Sequence, residues 1–245
     1  KGVIASSTVY VAGGAAKAAA ADAKQQILSY TGQLLNVKPE ELGLKEGRVY
    51  KKATPESGFT ITEITKQAYK ATEGAMTFIG RASYEDPVSA QTFAAQFAEV
   101  EVDIETGLVE IGRIVAIHDI GKAINPMVVE GQIEGAIQQG VGFALTEDPI
   151  LDGKTGRMMN PNFANYMVLT SLDMPKIQTG LVESIDPTGP FGAKGVGEIA
   201  LEGIAPAIAN AIYNATGVRL KELPMTQEKL FKALRGKESS DEKRI

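Results

Sequence analysis

"TFAAQFAEVEVDIETGLVEIGRIVAIHDI", residues 92–120, is the stretch that decides the architecture. Apolar and polar residues alternate from Phe97 to Val102, the period of a strand with one buried face. Glu105-Thr106-Gly107 supplies a turn, and "LVEIGRIVAIHDI" returns with the Val and Ile that favour strands. The stretch predicts an antiparallel hairpin at the centre of the chain.

Working outward from it, "NPMVVEGQIEGAIQQGVGFALTE" (125–147) predicts a helix. Val128, Ile133, Ile137, Val141, Phe143 and Leu145 are its apolar positions, interrupted by Gly131, Gly135, Gly140 and Gly142. Glycine costs about 1 kcal/mol relative to alanine in a helix. Several in one helix predict something packed close to its backbone. "DGKTGR" (152–157) reads as a second hairpin turn and "KIQTGLVES" (176–184) as a short strand. "PAIANAIYNATG" (206–217) is a helix with Pro206 in its first turn and Gly217 as its C-cap. "TQEKLFKAL" (226–234) is a terminal amphipathic helix, and residues 236–245 read as a charged, disordered tail.

Upstream, "VIASSTVYVAGG" (3–14) reads as an extended segment ending in a Gly13-Gly14 turn. "AAKAAAADAKQQILSYTGQLLN" (15–36) is rich in helix formers. "VKPEELGLKEGRVYKK" (37–52) reads as a turn and a short strand, and Thr60 or Thr62 can cap a helix to about Gly74. The fold class is α+β, with mixed or antiparallel sheets and packed helices. The expected domain is 1–235, with a possible subdivision near 90.

Composition narrows the function. The 245 residues are 44% hydrophobic, enough for one large domain or two small ones. A net charge of −5, with both signs interspersed, argues against nucleic-acid partners. No apolar run approaches the roughly 20 residues of a membrane span. The N-terminus lacks a start methionine and a signal-peptide core, and reads as a cut into a longer chain or a processed end. Cytoplasm is the default compartment. With no cysteine there is no disulfide, thiolate nucleophile or iron–sulfur ligand, and a single histidine, His118, speaks against an ordinary zinc site.

Five features carry candidate chemistry. "GVGEIA" (195–200) matches a dinucleotide fingerprint, but no strand runs directly into it and no acid follows at the required place, so that reading is rejected. Glu198 behind it is either a first-turn acid favoured by a helix dipole or a general base set in a glycine loop that a large ligand can approach. Gln132 and Glu134 lie on a helix whose glycines serve either a helix crossing or a flat ligand; the Gln132 amide can both donate and accept. Ser6, Ser7 and Thr8 could cradle a phosphate or simply end a strand. His118 and Asp119 look like a hydrolase pair, yet no G-x-S-x-G motif exists and strand neighbours face opposite ways, so turn-building roles are expected for them.

These features fall in one order. "DxGxxxNPxxxxGQxEGxxxQGxG" from Asp119 to Gly142, "GPFGAKGVGE" from Gly189 to Glu198, and "APAIANAIYNATGVR" from Ala205 to Arg219 resemble the large molybdopterin-binding subunit of the xanthine dehydrogenase/aldehyde oxidoreductase family. "ASSTVYVAGGAAKAAA" resembles an earlier segment of the same domain. The resemblance implies carbon hydroxylation with water as the oxygen source, on an N-heterocycle such as xanthine or hypoxanthine, with an aldehyde as the alternative substrate. A non-catalytic cofactor-binding half is the other alternative. It implies molybdopterin, free or as the cytosine dinucleotide, its molybdenum held by the pterin dithiolene and by no side chain. It gives Glu198 the role of base. It places Ala5, Ser6, Ser7, Gln132, Lys194, Gly195, Val196 and Gly197 at the cofactor. The implied partners are the N-terminal half of the molybdenum subunit, an iron–sulfur subunit and an FAD subunit. Two departures stand out: Ser7 replaces the arginine of many bacterial relatives, and "GEIALEG" replaces the commoner Gly-Glu-Pro-Pro.

Overall fold

The alanine-rich run forms a long helix, α1 (Gly13–Leu35), in the computed structural model, which describes residues 4–71, 74–85 and 90–241. Alanine surrenders no side-chain entropy there. The helix stops where Asn36 turns left-handed, at φ 50°, and returns its N–H to the Gln33 carbonyl. The segment before it is not extended. Thr8–Ala12 winds as a π-helical turn straight into α1. It pairs with no strand among the described residues, and a helical turn satisfies its backbone groups instead.

Residues Val11–Pro87 form one unit of the chain. Within it "LGLKEGRVYK" is a full hairpin, where one strand was expected. β1 (Leu42–Lys45) and β2 (Arg48–Lys51) turn through Glu46 and Gly47, both at positive φ, the pattern of a tight primed turn. β3 (Thr54–Thr60) adds antiparallel to β2 as an edge strand, where Pro55 is tolerated. α2 (Ile61–Tyr69) starts on a capping box: the Thr60 hydroxyl accepts from the Glu63 N–H at 3.2 Å, and the Glu63 carboxylate accepts from the Thr60 N–H at 2.8 Å. It ends at Tyr69, short of Gly74. Leu28, Leu42, Val49 and Ile64 make this unit's core.

The other unit joins Lys1–Tyr10 to Val88–Ile245. The central hairpin forms: β4 (Ala94–Val102) pairs antiparallel with β5 (Val109–Asp119), placing Ala94 opposite His118. α3 (Pro126–Leu145), capped by the Asn125 side chain, lies in the connection from β5 to β6 (Lys176–Val182), which runs parallel to β5. The sheet is therefore mixed, in the order β4-β5-β6. α4 (Ile204–Thr216) ends on Gly217 at φ 70°. The expected second hairpin at 152–157 is only a turn with one bridge, Leu151 to Met158. α5 (Gln227–Asp241) runs on through residues 236–241 of the charged tail, while 242–245 lie outside the described residues.

One core joins these elements. Ile114, Ala116 and Ile120 come from β5 and the residue after it, Ile133, Ile137 and Val141 from α3, Ile204, Ile208 and Ile212 from α4, and Leu230 from α5. Gly140 is where α3 and α4 approach most closely, since a Cβ there would sit 2.7 Å from the Ile204 Cβ. Gly140→Val should therefore destabilise the fold by about 1–3 kcal/mol through overpacking. Denaturant titration checks this; an unchanged midpoint would mean that the helices do not meet at Gly140. No helix among the described residues is long and apolar enough to cross a membrane.

Candidate functional site

The loop 186–198 is shaped by hydrogen bonds its own sequence supplies. Asp186 Oδ1 accepts from the Thr188 N–H (2.8 Å), the Thr188 hydroxyl (2.6 Å) and the Gly189 N–H (2.9 Å). The Thr188 hydroxyl, those two amides and the Lys194 charge outweigh burial and hold the Asp186 carboxyl below its usual range. Thr188 also meets the buried Tyr10 hydroxyl, which ties the N-terminal segment to the loop. Phe191 follows in left-handed conformation, φ 55°, with its ring exposed. That conformation costs a bulky residue of order 1–3 kcal/mol. Backbone bonds on both sides impose it. The Gly192 carbonyl accepts from Lys122 (2.8 Å) and Asp186 (3.1 Å), and the Lys194 N–H reaches the Ile120 carbonyl (2.9 Å). Opposite, Gly121 sits at φ 61° with its missing Cβ 2.3 Å from the Gly192 oxygen, so the turn after β5 accepts only glycine.

Lys194 was expected among the cofactor-facing residues, and the structure turns its side chain inward. Its Nζ lies 2.8 Å from Asp119 Oδ2 and 3.2 Å from Ser184 Oγ, with both charges buried. Burial pushes the Asp119 carboxyl up, but the Lys194 hydrogen bond, the Gly121 amide, the Lys194 charge and Ser184 together hold it below its usual range.

His118 faces the core beside Asp119 and is fully buried. Its Nε2 is 3.0 Å from Gln96 Nε2, and the same Gln96 amide donates to the Ala200 carbonyl at 2.8 Å. As Gln96 donates, the imidazole must accept, which is the neutral form. Burial lowers its pKa in agreement. The unfolded imidazole takes a proton near pH 6.5 while the folded one does not, so this contribution to stability is complete above about pH 6.5 and is lost as pH falls through the folded value. Thermal midpoints should therefore drop as pH falls below about 6.5, a component that His118→Gln removes. An identical slope in the variant would contradict the assignment.

The remaining candidates collect around Glu198. Ala5 and Ser6 are left-handed, φ 51° and 55°, and aim the Ser6 hydroxyl at the Glu198 N–H, which donates to it at 2.9 Å. Gly195 passes so close that a Cβ would lie 2.5 Å from the Ser6 carbonyl oxygen, and one on Gly197 would lie 3.2 Å from Ser6 Oγ. The Ser7 N–H closes the turn on the Ile4 carbonyl. Val196 packs against the core. Glu198 opens a short 3-10 turn to Ala200, and its exposed carboxylate bonds to none of the described residues.

α3 packs against that turn. Of its glycines, Gly140 serves the helix crossing, whereas Gly131 and Gly135 have nothing within 4 Å of a built Cβ. Gln132 stands exposed between them, its amide likewise without a partner among the described residues. Gly131 and Gly135 leave open space along α3 with the Gln132 amide between them, and the glycine loop leaves the Glu198 carboxylate exposed. Ala5, Ser6, Gly195, Gly197 and Glu198 are thus one cluster and Gln132 belongs to the helix packed beside it. The sequence reading missed the contributions of Gln96, Ser184 and Tyr10; the only signal in sequence was a buried-face glutamine in β4.

Residues 1–175 match the family model described as a molybdopterin cofactor-binding domain, a span that takes in Ser6 and Gln132. The xanthine dehydrogenase molybdenum-binding subunit of Escherichia coli O157:H7 is 32% identical over 94% of the chain and 31% of that protein. The aldehyde oxidoreductase molybdenum-binding subunit PaoC of Escherichia coli K12 is 36% identical over 73% of the chain and 26% of its own length. Among solved structures, quinoline 2-oxidoreductase from Pseudomonas putida 86 superimposes with a TM-score of 0.84 at 28% identity, covering 94% of this chain and 30% of that one. The chain spans less than a third of the length of each of these relatives.

Proposed function

The chain belongs to the family of molybdopterin cofactor-binding domains of molybdenum hydroxylases, and from that premise we propose that it forms one wall of a hydroxylase active site with Glu198 as the general base. The observation that carries this reading is the exposed Glu198 carboxylate, which bonds to none of the described residues and is fixed through its own amide to Ser6, in a turn against which α3 packs. When bound, the cofactor supplies a metal that activates water and an acceptor for two electrons. The chain's residues do the rest. Glu198 takes the proton of that water. Gln132 would hydrogen-bond the cofactor from α3, where Gly131 and Gly135 leave room for it. Ala5, Ser6, Ser7 and the backbone of Gly195-Val196-Gly197 would contact it as well. Lys194 belongs to the same loop, with its side chain turned inward to Asp119.

The substrate is an N-heterocycle such as xanthine or hypoxanthine; the xanthine dehydrogenase relative that aligns over 94% of the chain supports this. An aldehyde is the second reading, favoured by the higher identity, 36%, of the aldehyde oxidoreductase subunit. The rest of a molybdenum subunit, an iron–sulfur subunit and an FAD subunit complete the enzyme, and the pterin is carried free or as its cytosine dinucleotide. The test is to purify the assembled enzyme, measure molybdenum and pterin, and follow dye reduction with xanthine, hypoxanthine and a panel of aldehydes. Metal with purine turnover supports the reading. Turnover of aldehydes alone replaces the substrate, and an enzyme that holds no molybdenum contradicts the proposal.

A further inference from the structure

We propose that the end of β5 is a two-point clamp that positions Glu198. Asp119 grips the loop before the base through Lys194, and His118 grips the turn after it through Gln96 and the Ala200 carbonyl. The inference rests on reading Glu198 as the base and makes Gln96, His118, Asp119 and Lys194 positioning residues.

The loop needs such anchors. Gly195 and Gly197 have no side chains to hold them, and the Glu198 carboxylate bonds to none of the described residues. Apart from the Ser6 contact and the packing of Val196, the place of the base depends on what holds either flank. The two grips lie four residues before Glu198 and two after it, and both trace to neighbours on one strand. Their side chains leave opposite faces of β5, so one reaches forward to Lys194 and the other inward to Gln96. A base displaced by 1 Å loses about 10²-fold in rate, so a stiff strand end is a better reference than a glycine loop.

Neither grip is built for stability alone. Buried ion pairs are often replaceable by apolar residues without loss of stability, and their best-attested use is to fix a geometry. Gln96 Oε1 and His118 Nδ1 are buried without partners among the described residues, although most buried polar groups are paired. The network tolerates that deficit while directing the Gln96 amide at Ala200. A glutamine chosen only to satisfy the core would leave no such orphans.

The test compares three variants of the assembled, molybdenum-loaded enzyme with the wild type. They are the apolar double replacement Asp119→Leu/Lys194→Met, Gln96→Met at the other grip, and Glu198→Gln as a reference. Amide hydrogen exchange is read over residues 193–201, with molybdenum content, kcat and KM alongside. Exchange in that segment should speed up about tenfold or more in both clamp variants, with the rest of the unit unchanged. kcat should fall by about 10–10²-fold at nearly constant KM and metal content. Should the double variant fail to fold, Gln96→Met carries the test. Unchanged exchange in 193–201 overturns the clamp. Faster exchange with wild-type kcat, while Glu198→Gln abolishes turnover, overturns the positioning role and leaves the base intact. Full turnover in Glu198→Gln removes the base assignment, and with it positioning; exchange alone then decides whether β5 holds the loop.

Discussion

Glu198→Gln lowers the turnover of the assembled enzyme by about 10²–10⁴-fold, the range of general-base loss, with molybdenum content unchanged. Glutamine keeps the size of the side chain and leaves the backbone N–H on Ser6 as it is. Because the carboxylate makes no bond within the described chain, nothing in the fold is lost with it. The change removes only the ability to take a proton. kcat should carry the effect, with KM nearly constant, because the interaction is realised as the proton moves. Steady-state kinetics with metal analysis checks it, and a fall in molybdenum content parallel to activity would assign Glu198 to cofactor retention instead.

Gly131→Val and Gly135→Val should strip the enzyme of cofactor while leaving the chain at least as stable. Both positions are exposed on α3 with open space where a Cβ would go. Valine has a better helix propensity than glycine, by a few tenths of a kcal/mol. Gly140→Val, two turns further along, should instead destabilise. Pterin fluorescence and thermal midpoints of the three variants separate the two uses of glycine within one helix. Normal pterin content in Gly131→Val and Gly135→Val would mean that the bare face binds nothing.

Local patterns in the sequence translated into structure wherever neighbours along the chain do the work. The alternation of 97–102 became β4, the Thr60–Glu63 spacing became a capping box, and Gly217 stopped α4. The reading failed where partners are distant. Thr8–Ala12 looked extended because its β-branched residues favour strands, but it pairs with no strand among the described residues and winds into the helix that follows it. The inward turn of the Lys194 side chain was not legible either, because Asp119, its partner, lies 75 residues away. Gln96 and Ala200 are 104 residues apart, and no periodicity announces their bond. The glycines of α3 were visible as a group, yet only packing separates Gly140, which meets Ile204, from Gly131 and Gly135, which meet nothing. The candidate site was legible as residue types in order, and its supports were not.

The open side of α3 at Gly131 and Gly135 and the Glu198 loop should together face one molybdenum cofactor. Anomalous diffraction at the molybdenum edge, on crystals of the assembled enzyme, tests it most directly. The account predicts a single metal peak over the Gly131–Gly135 face, with Gln132 on one side and Glu198 on the other. A molybdenum peak remote from both residues would contradict it.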